Sequence, residues 1–220
     1  MGKHLLILLA CLAMAVIPAP PASAGEEVPA IEDDEEYRVY AAVLFPNKPE
    51  IPDAIKDDPL QRDLYLSERP RLDGLGLGKR SAVVYELTKV NKTMRPADDG
   101  SLTALGEDFN RKTEKPARLS KERLMAHLPK DIGVRIITDG EMSELFRKRD
   151  GWDRFRQKYP FAGGIKGFSR VGFDPARTQA VVFVGHQADY RMGVGYWIYL
   201  EKSASSGKWI ISGSRLAYIS

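Results

Sequence analysis

Between Gly185 and Trp197 the string GHQADYRMGVGYW sets a histidine, an acid, a tyrosine and an arginine between two strand-like apolar runs, as a site loop does. Its chemistry would be proton abstraction: His186, assisted by Asp189, acting as general base on Ser169 of a neighbouring strand. The surroundings of the serines argue against that reading. No serine stands in a G-x-S-x-G elbow and no other hydrolase signature occurs, so no catalytic residue is assigned. Gly185, Gly193 and Gly195 read instead as backbone freedom for a chain reversal, with Tyr190 and Met192 covering the end of a core.

Two further sets of residues invite chemistry and decline it. DGLGLGKRS mimics a phosphate-binding loop, but Arg80 stands where a serine or threonine must ligate magnesium, and no strand precedes it. Metal binding lacks ligands. Cys11 is the only cysteine, and His127 and His186 are the only histidines beyond the first few residues, with no H-E-x-x-H or related spacing. Neither a structural metal, a cofactor nor a disulfide is expected. Arg170 reads as a strand arginine paired with a helix carboxylate rather than a substrate ligand. Tyr37, Tyr40, Trp152, Phe155 and Tyr159 recur at helical spacing and read as core.

The N-terminus supplies the address. Lys3 and His4 lead into LLILLACLAMAVI and then PAPPASA, a secretory signal peptide over residues 1–24 with Ala22 and Ala24 in an A-x-A-type cleavage site before Gly25. A lipidation box ending at Cys11 is the rival, but the apolar run continues past the cysteine. From Leu5 to Ile17 that run is too short to cross a bilayer, which takes about 20 residues, and no other stretch approaches it. Cleavage leaves 196 residues, enough for one domain, with an exported, periplasmic or extracellular location expected. Charge is uneven along it: residues 25–60 hold eleven acids and three bases, residues 61–220 nineteen acids and twenty-nine bases. A basic body behind an acidic leader suits an anionic envelope polymer or a solvated surface. The bases are interspersed with acids, and nucleic acid is not expected as a partner.

The elements that must position these residues follow from periodicity. Residues 25–33 read as a mobile acidic leader, and residues 34–220 as a single domain with a long irregular segment at 46–80 that holds one helical turn near DPLQRDLYL. Helices are expected in EEYRVYAAVLF up to Pro46, in SLTALGEDFNRKTEK from a Ser101 cap to Pro116, in SKERLMAHL behind Ser120, in EMSELFRKR behind Asp139, and in GWDRFRQKYP. SAVVYELTKV and DIGVRIIT are strands. The last third holds four more, KGFSRVGF, TQAVVFVGH, GYWIYLEK and KWIISGSRLAYI, with a turn opening at Asp174-Pro175 and another in SASSG. The expected class is α+β, a four-stranded antiparallel meander with short helices on one face and no strand–helix alternation.

FSRVGFDPARTQAVVFVG, GYWIYLEK, GKW and the closing Y-I-S resemble the C-terminal signature of a family of small exported bacterial proteins without an assigned activity. With DFNRK upstream, the likeness covers about Leu105 to Ser220. It implies export and a shared α+β fold, and no reaction. Ala188 and Met192 stand where relatives carry two cysteines, so nothing resting on that pair transfers.

A register with Ser169 opposite Val182 divides the four strands into two faces. Phe168, Val181, Phe183, Ile198, Leu200, Ile210 and Leu216 form a core face. Ser169, Thr178, His186, Trp197, Tyr199, Glu201, Trp209 and Arg215 form the other, where flat rings among polar groups suit a glycan, or where the 46–80 segment adds a second covered layer. Three function classes remain: non-catalytic ligand or envelope binding, which the missing catalytic motifs favour; hydrolysis of an envelope polymer; and binding or inhibition of a partner protein by sheet-edge pairing.

Overall fold

The computed structural model describes residues 27–46, 56–61, 75, 77, 81–89 and 103–220. The expected signal segment, Cys11, the expected Ser101 cap and most of 46–80 lie outside these residues; the turn expected near DPLQRDLYL is seen only at 59–61.

Helix α1 (Asp34–Leu44) begins where Asp33 accepts a hydrogen bond from the Glu35 N–H and three acids occupy the first turn, opposite in sign to the helix N-terminus. It stops before Pro46. Eight of its eleven residues are buried, so it is an inner element rather than a half-exposed one. The leader before it is docked over its described part: Ile31 donates to the Arg118 carbonyl, Arg118 donates back to Pro29, and Ile31 is buried. Pairing with Arg118 corrects the mobile reading for these residues.

Strand β1 (Ser81–Tyr85) is followed by helices α2 (Thr103–Lys112) and α3 (Lys121–Ala126), then β2 (Gly133–Ile137), then helices α4 (Asp139–Phe146) and α5 (Gly151–Lys158). Ser120 caps α3 as expected, but Thr138 rather than Asp139 caps α4, its side chain accepting from the Glu141 N–H. The C-terminal strands are β3 (Ile165–Phe168), β4 (Gly172–Phe173), β5 (Gln179–Asp189), β6 (Met192–Lys202) and β7 (Trp209–Ile219).

Helices and a strand-rich sheet make the α+β composition plain. The meander is not separate, however: the seven strands among the described residues form one sheet in the order β2-β1-β3-β5-β6-β7, with β4 also paired to β5. β1 runs parallel to both β2 and β3, while β3, β5, β6 and β7 are antiparallel neighbours. The first half therefore does alternate strands with helices. Its strands are four or five residues long and β1 is buried along its centre, so neither length nor alternation of polarity marked it.

Helices cover both faces. In β5, Ala180, Val182 and Val184 join α1 and α3 in one cluster, while the alternate residues Val181 and Phe183 meet Leu105 and Phe109 of α2. In β1, Val84 faces the first cluster and Val83 meets Trp152 and Phe155 of α5. Period-two side chains impose this division once both faces are dry.

The register differs by one residue from that expected. Phe168 pairs with Val184, the Ser169 N–H donates to the Phe183 carbonyl at 2.9 Å, and pairing resumes at Gly172 with Val181. Ser169 makes the break: its hydroxyl accepts from the Phe183 N–H at 2.9 Å and donates to the Arg170 carbonyl at 2.8 Å. KGFSRVGF is consequently two short strands, and residues expected on opposite faces are exchanged.

Candidate functional site

The six residues expected on a ligand surface do not form one. Ser169, His186, Trp197 and Trp209 are buried, Tyr199 is half-buried, and only Arg215 is exposed. Trp197 lies between Phe109 and Phe183, with ring centres 5.0 and 5.7 Å away. The covering element is α2. Trp209 belongs to the α1 cluster, donating its indole N–H to Glu35 at 2.8 Å. His186 pairs across the sheet with Lys166, one residue out of phase with Trp197 and so on the opposite face. Of the presumed core face, Leu216 is 47 % exposed. Asp189 bonds Arg156 and the Tyr190 N–H, and the Ser169 hydroxyl is spent on backbone, so Ser169, His186 and Asp189 are not brought together.

Arg170 pairs with a helix carboxylate, that of Glu36. Its Nε and Nη2 reach the two carboxylate oxygens at 2.9 and 2.6 Å, and Glu36 also accepts from the Val171 N–H at 3.1 Å and the Tyr40 hydroxyl at 3.1 Å. Lys112 of α2 approaches it at 3.7 Å. Glu36 is wholly buried, and its hydrogen bonds tie α1 to the break between β3 and β4. The bonded carboxylate holds the Arg170 guanidinium more firmly protonated, while burial and the neighbouring Glu36 charge raise the Tyr40 phenol. Every group in this network is satisfied, which makes it a structural clamp.

The groove beside α2 is charge-matched. Lying between α2 and the β4–β5 turn, with a volume of about 650 Å³, it carries Arg111, Lys112 and Arg177, but Asp108 pairs with the first two and Asp33 with the third.

The unmatched chemistry lies on the opposite side of the sheet from α1. The chain leaving β1 donates from Lys89 N–H to the Phe168 carbonyl at 2.7 Å, which turns the Lys89 side chain across β3 towards β5. Gly167 pairs with Gly185, Gly185 with Gly195, and Gly195 with Tyr218, so three glycines on adjacent strands make a trough that ends at a tyrosine. A first side-chain carbon on Gly167 would lie 2.7 Å from Lys89 Cε, and one on Gly185 would lie 2.6 Å from Lys89 Nζ and 3.2 Å from the Tyr218 hydroxyl. One on Gly195 would strike the Phe183 ring at 2.7 Å. None of the three has positive φ. Their value is the missing Cβ rather than freedom to turn, which corrects the reading of Gly185 and Gly195 as loop glycines.

Lys89 and Tyr218 thus converge above Gly185, beside the Phe183 face, whose centre is 5.6 Å from the ammonium. Among the described residues no carboxylate reaches Lys89 and neither polar head makes a hydrogen bond. Burial alone lowers the Lys89 pKa below the usual lysine range and raises that of Tyr218. The site offers a partly desolvated cation and a neutral phenol donor side by side, a combination that receives a carboxylate or phosphate oxygen.

Sequence reading missed both residues. Lys89 stood inside a presumed strand, and the trough exists only through a register that joins positions 167, 185, 195 and 218. Among the described residues, no group of three or more His, Cys, Asp or Glu is placed to hold a metal, and no helix is long and apolar enough to cross a membrane. No protein-family model matches the chain, and no curated protein or solved structure matches it either.

Proposed function

We propose that the protein is an exported, non-catalytic domain that binds an anionic group of a cell-envelope glycan or polymer in the Lys89–Tyr218 trough. Export rests on the residue 1–24 pattern. The observation that carries the binding reading is Lys89: an ammonium held on a glycine floor, without a carboxylate among the described residues, costs stability that a ligand anion would offset. Folding alone does not call for it, since an apolar side chain would fill the trough more favourably. Tyr218 adds a donor at the same point, and Phe183 a flat apolar wall for a sugar or acyl part of the ligand.

Calorimetry with a soluble carboxylate-bearing peptidoglycan fragment, and with inorganic phosphate, tests this on protein whose intact mass begins at Gly25. Lys89→Met should weaken binding at least about tenfold, the scale of one charge-assisted contact, while the melting temperature holds or rises. Equal affinity in wild type and Lys89→Met, or no affinity in either for both probes, would overturn the reading.

A further inference from the structure

The end of the sheet around the β5–β6 hairpin is unlike the rest of the surface. Phe161 is 85 % exposed, Tyr190 57 %, Met192 63 % and Ile219 74 %. All four lie at the same end of the sheet, Phe161 beside the start of β1, Tyr190 and Met192 at the β5–β6 hairpin and Ile219 on the edge strand β7. Ser81, the first residue of β1, donates to the Phe161 carbonyl at 3.1 Å, and the turn that follows Phe161 lies against β5, a Gly164 side chain being placed 3.0 Å from Ala188 Cα. Met192 closes the hairpin opposite Asp189, and Ile219 pairs with Val194 beside it. Tyr190 is held upright, its ring edge-on to Trp152 and its hydroxyl donating to the Arg149 carbonyl at 2.7 Å. Isolated exposed apolar side chains are ordinary, but four at one end of a sheet, two of them at its β5–β6 hairpin, mark an interaction surface.

Charge states which kind. Four acids around Tyr190 are taken up locally, Asp189 and Asp153 by Arg156, Asp150 by Arg154, and Glu144 by Arg147, while Asp131 ahead of β2 forms no ion pair among the described residues. Lys148, Arg149 and Arg191 are exposed and make no ion pair among the described residues. Arg149 and Arg191 border Tyr190, one through its hydrogen bond and one by sequence. Apolar tips with exposed cations beside them have the composition of an interfacial membrane contact, where rings and aliphatic chains enter the headgroup layer and the cations meet phosphates.

We propose that this end of the sheet docks the domain onto a bilayer rich in anionic phospholipid, and that Phe161, Tyr190, Met192 and Ile219 enter it while Lys148, Arg149 and Arg191 bind its phosphates. Ile219 follows Tyr218 of the trough on β7 with its side chain on the other face, and docking here does not depend on ligand binding at Lys89. No helix is required to cross the membrane, and the contact is reversible and weakened by salt.

Vesicle co-sedimentation tests it, using the protein as it leaves an exporting bacterial host. Vesicles of equal parts phosphatidylglycerol and phosphatidylcholine should carry the protein down, and phosphatidylcholine alone should not. The double variant Arg149→Gln, Arg191→Gln should weaken partitioning about 25-fold, because each cation near an anionic surface contributes roughly fivefold. Phe161→Ser with Met192→Ser should weaken it at least about tenfold through the apolar area withdrawn from the headgroup layer. Unchanged circular dichroism melts for both double variants separate docking from folding. Equal partitioning onto neutral and anionic vesicles, or none onto either, would overturn the proposal. So would concentration-dependent dimerisation that Met192→Ser abolishes in protein that ignores vesicles, since that would assign this end to a second copy of the chain.

Discussion

Replacing Glu36 by alanine is expected to lower the unfolding free energy by about 3–5 kcal/mol, the scale seen when one partner of a buried ion pair is removed. The carboxylate is wholly buried and answers Arg170, the Val171 N–H and the Tyr40 hydroxyl together. Its loss strands the buried Val171 N–H and leaves a largely buried guanidinium without its partner, while the Tyr40 hydroxyl keeps the Ser169 carbonyl. Domain stability is typically only about 5–15 kcal/mol, so the variant should unfold at much lower urea, with an unchanged slope if the transition stays two-state. Glu36→Leu combined with Arg170→Met should recover much of the loss, because an apolar pair of similar size leaves no charge behind. A near-native Glu36→Ala midpoint would show that the clamp is not what joins α1 to the sheet.

Trp197→Ala comes next, with an expected cost of about 3–5 kcal/mol for a buried aromatic reduced to a methyl group. Trp197 is 2 % exposed, and it fills the space between Phe109 of α2 and Phe183 of β5. Had it belonged to an open glycan-binding face, the same substitution would have cost little stability. Urea titration distinguishes the two directly: an unchanged midpoint would return Trp197 to the surface and detach α2 from the sheet.

The helices were legible because their signals are local. Pro46 ends α1, Ser120 caps α3, and Trp152, Phe155 and Tyr159 share a face of α5 that meets Ile137 and Ile165. The pairing of Arg170 with a helix carboxylate was legible too, although the arginine stands in the break between β3 and β4 and not in a strand. What stayed hidden is non-local. The parallel pairing of β1 with β2 and β3 joins segments far apart in sequence through strands too short to show a period. The faces of β5 and β6 hung on one register choice, and Ser169 shifts that register by bonding to backbone inside the sheet. His186 and Trp197, side by side on paper, therefore belong to opposite layers. Lys89 and Tyr218 carry no motif, and their meeting is a property of three glycines that only the paired strands align.

The ionisation of Lys89 itself tests the central claim most directly. With no compensating charge among the described residues, burial favours the neutral amine, so its folded pKa lies below the unfolded value and the burial cost is relieved as pH rises through the folded pKa towards the usual lysine range. Tyr218, the titratable group facing it among the described residues, is raised by burial and remains neutral over that window. Nuclear magnetic resonance of the lysine Cε carbons, followed against pH, resolves Lys89 from the other lysines. It should lose its proton first in the free protein, and saturation with the peptidoglycan fragment should raise its pKa back towards theirs. A Lys89 that titrates with the surface lysines, or one whose pKa is unmoved by the fragment at saturation, would contradict an anion site in the glycine trough.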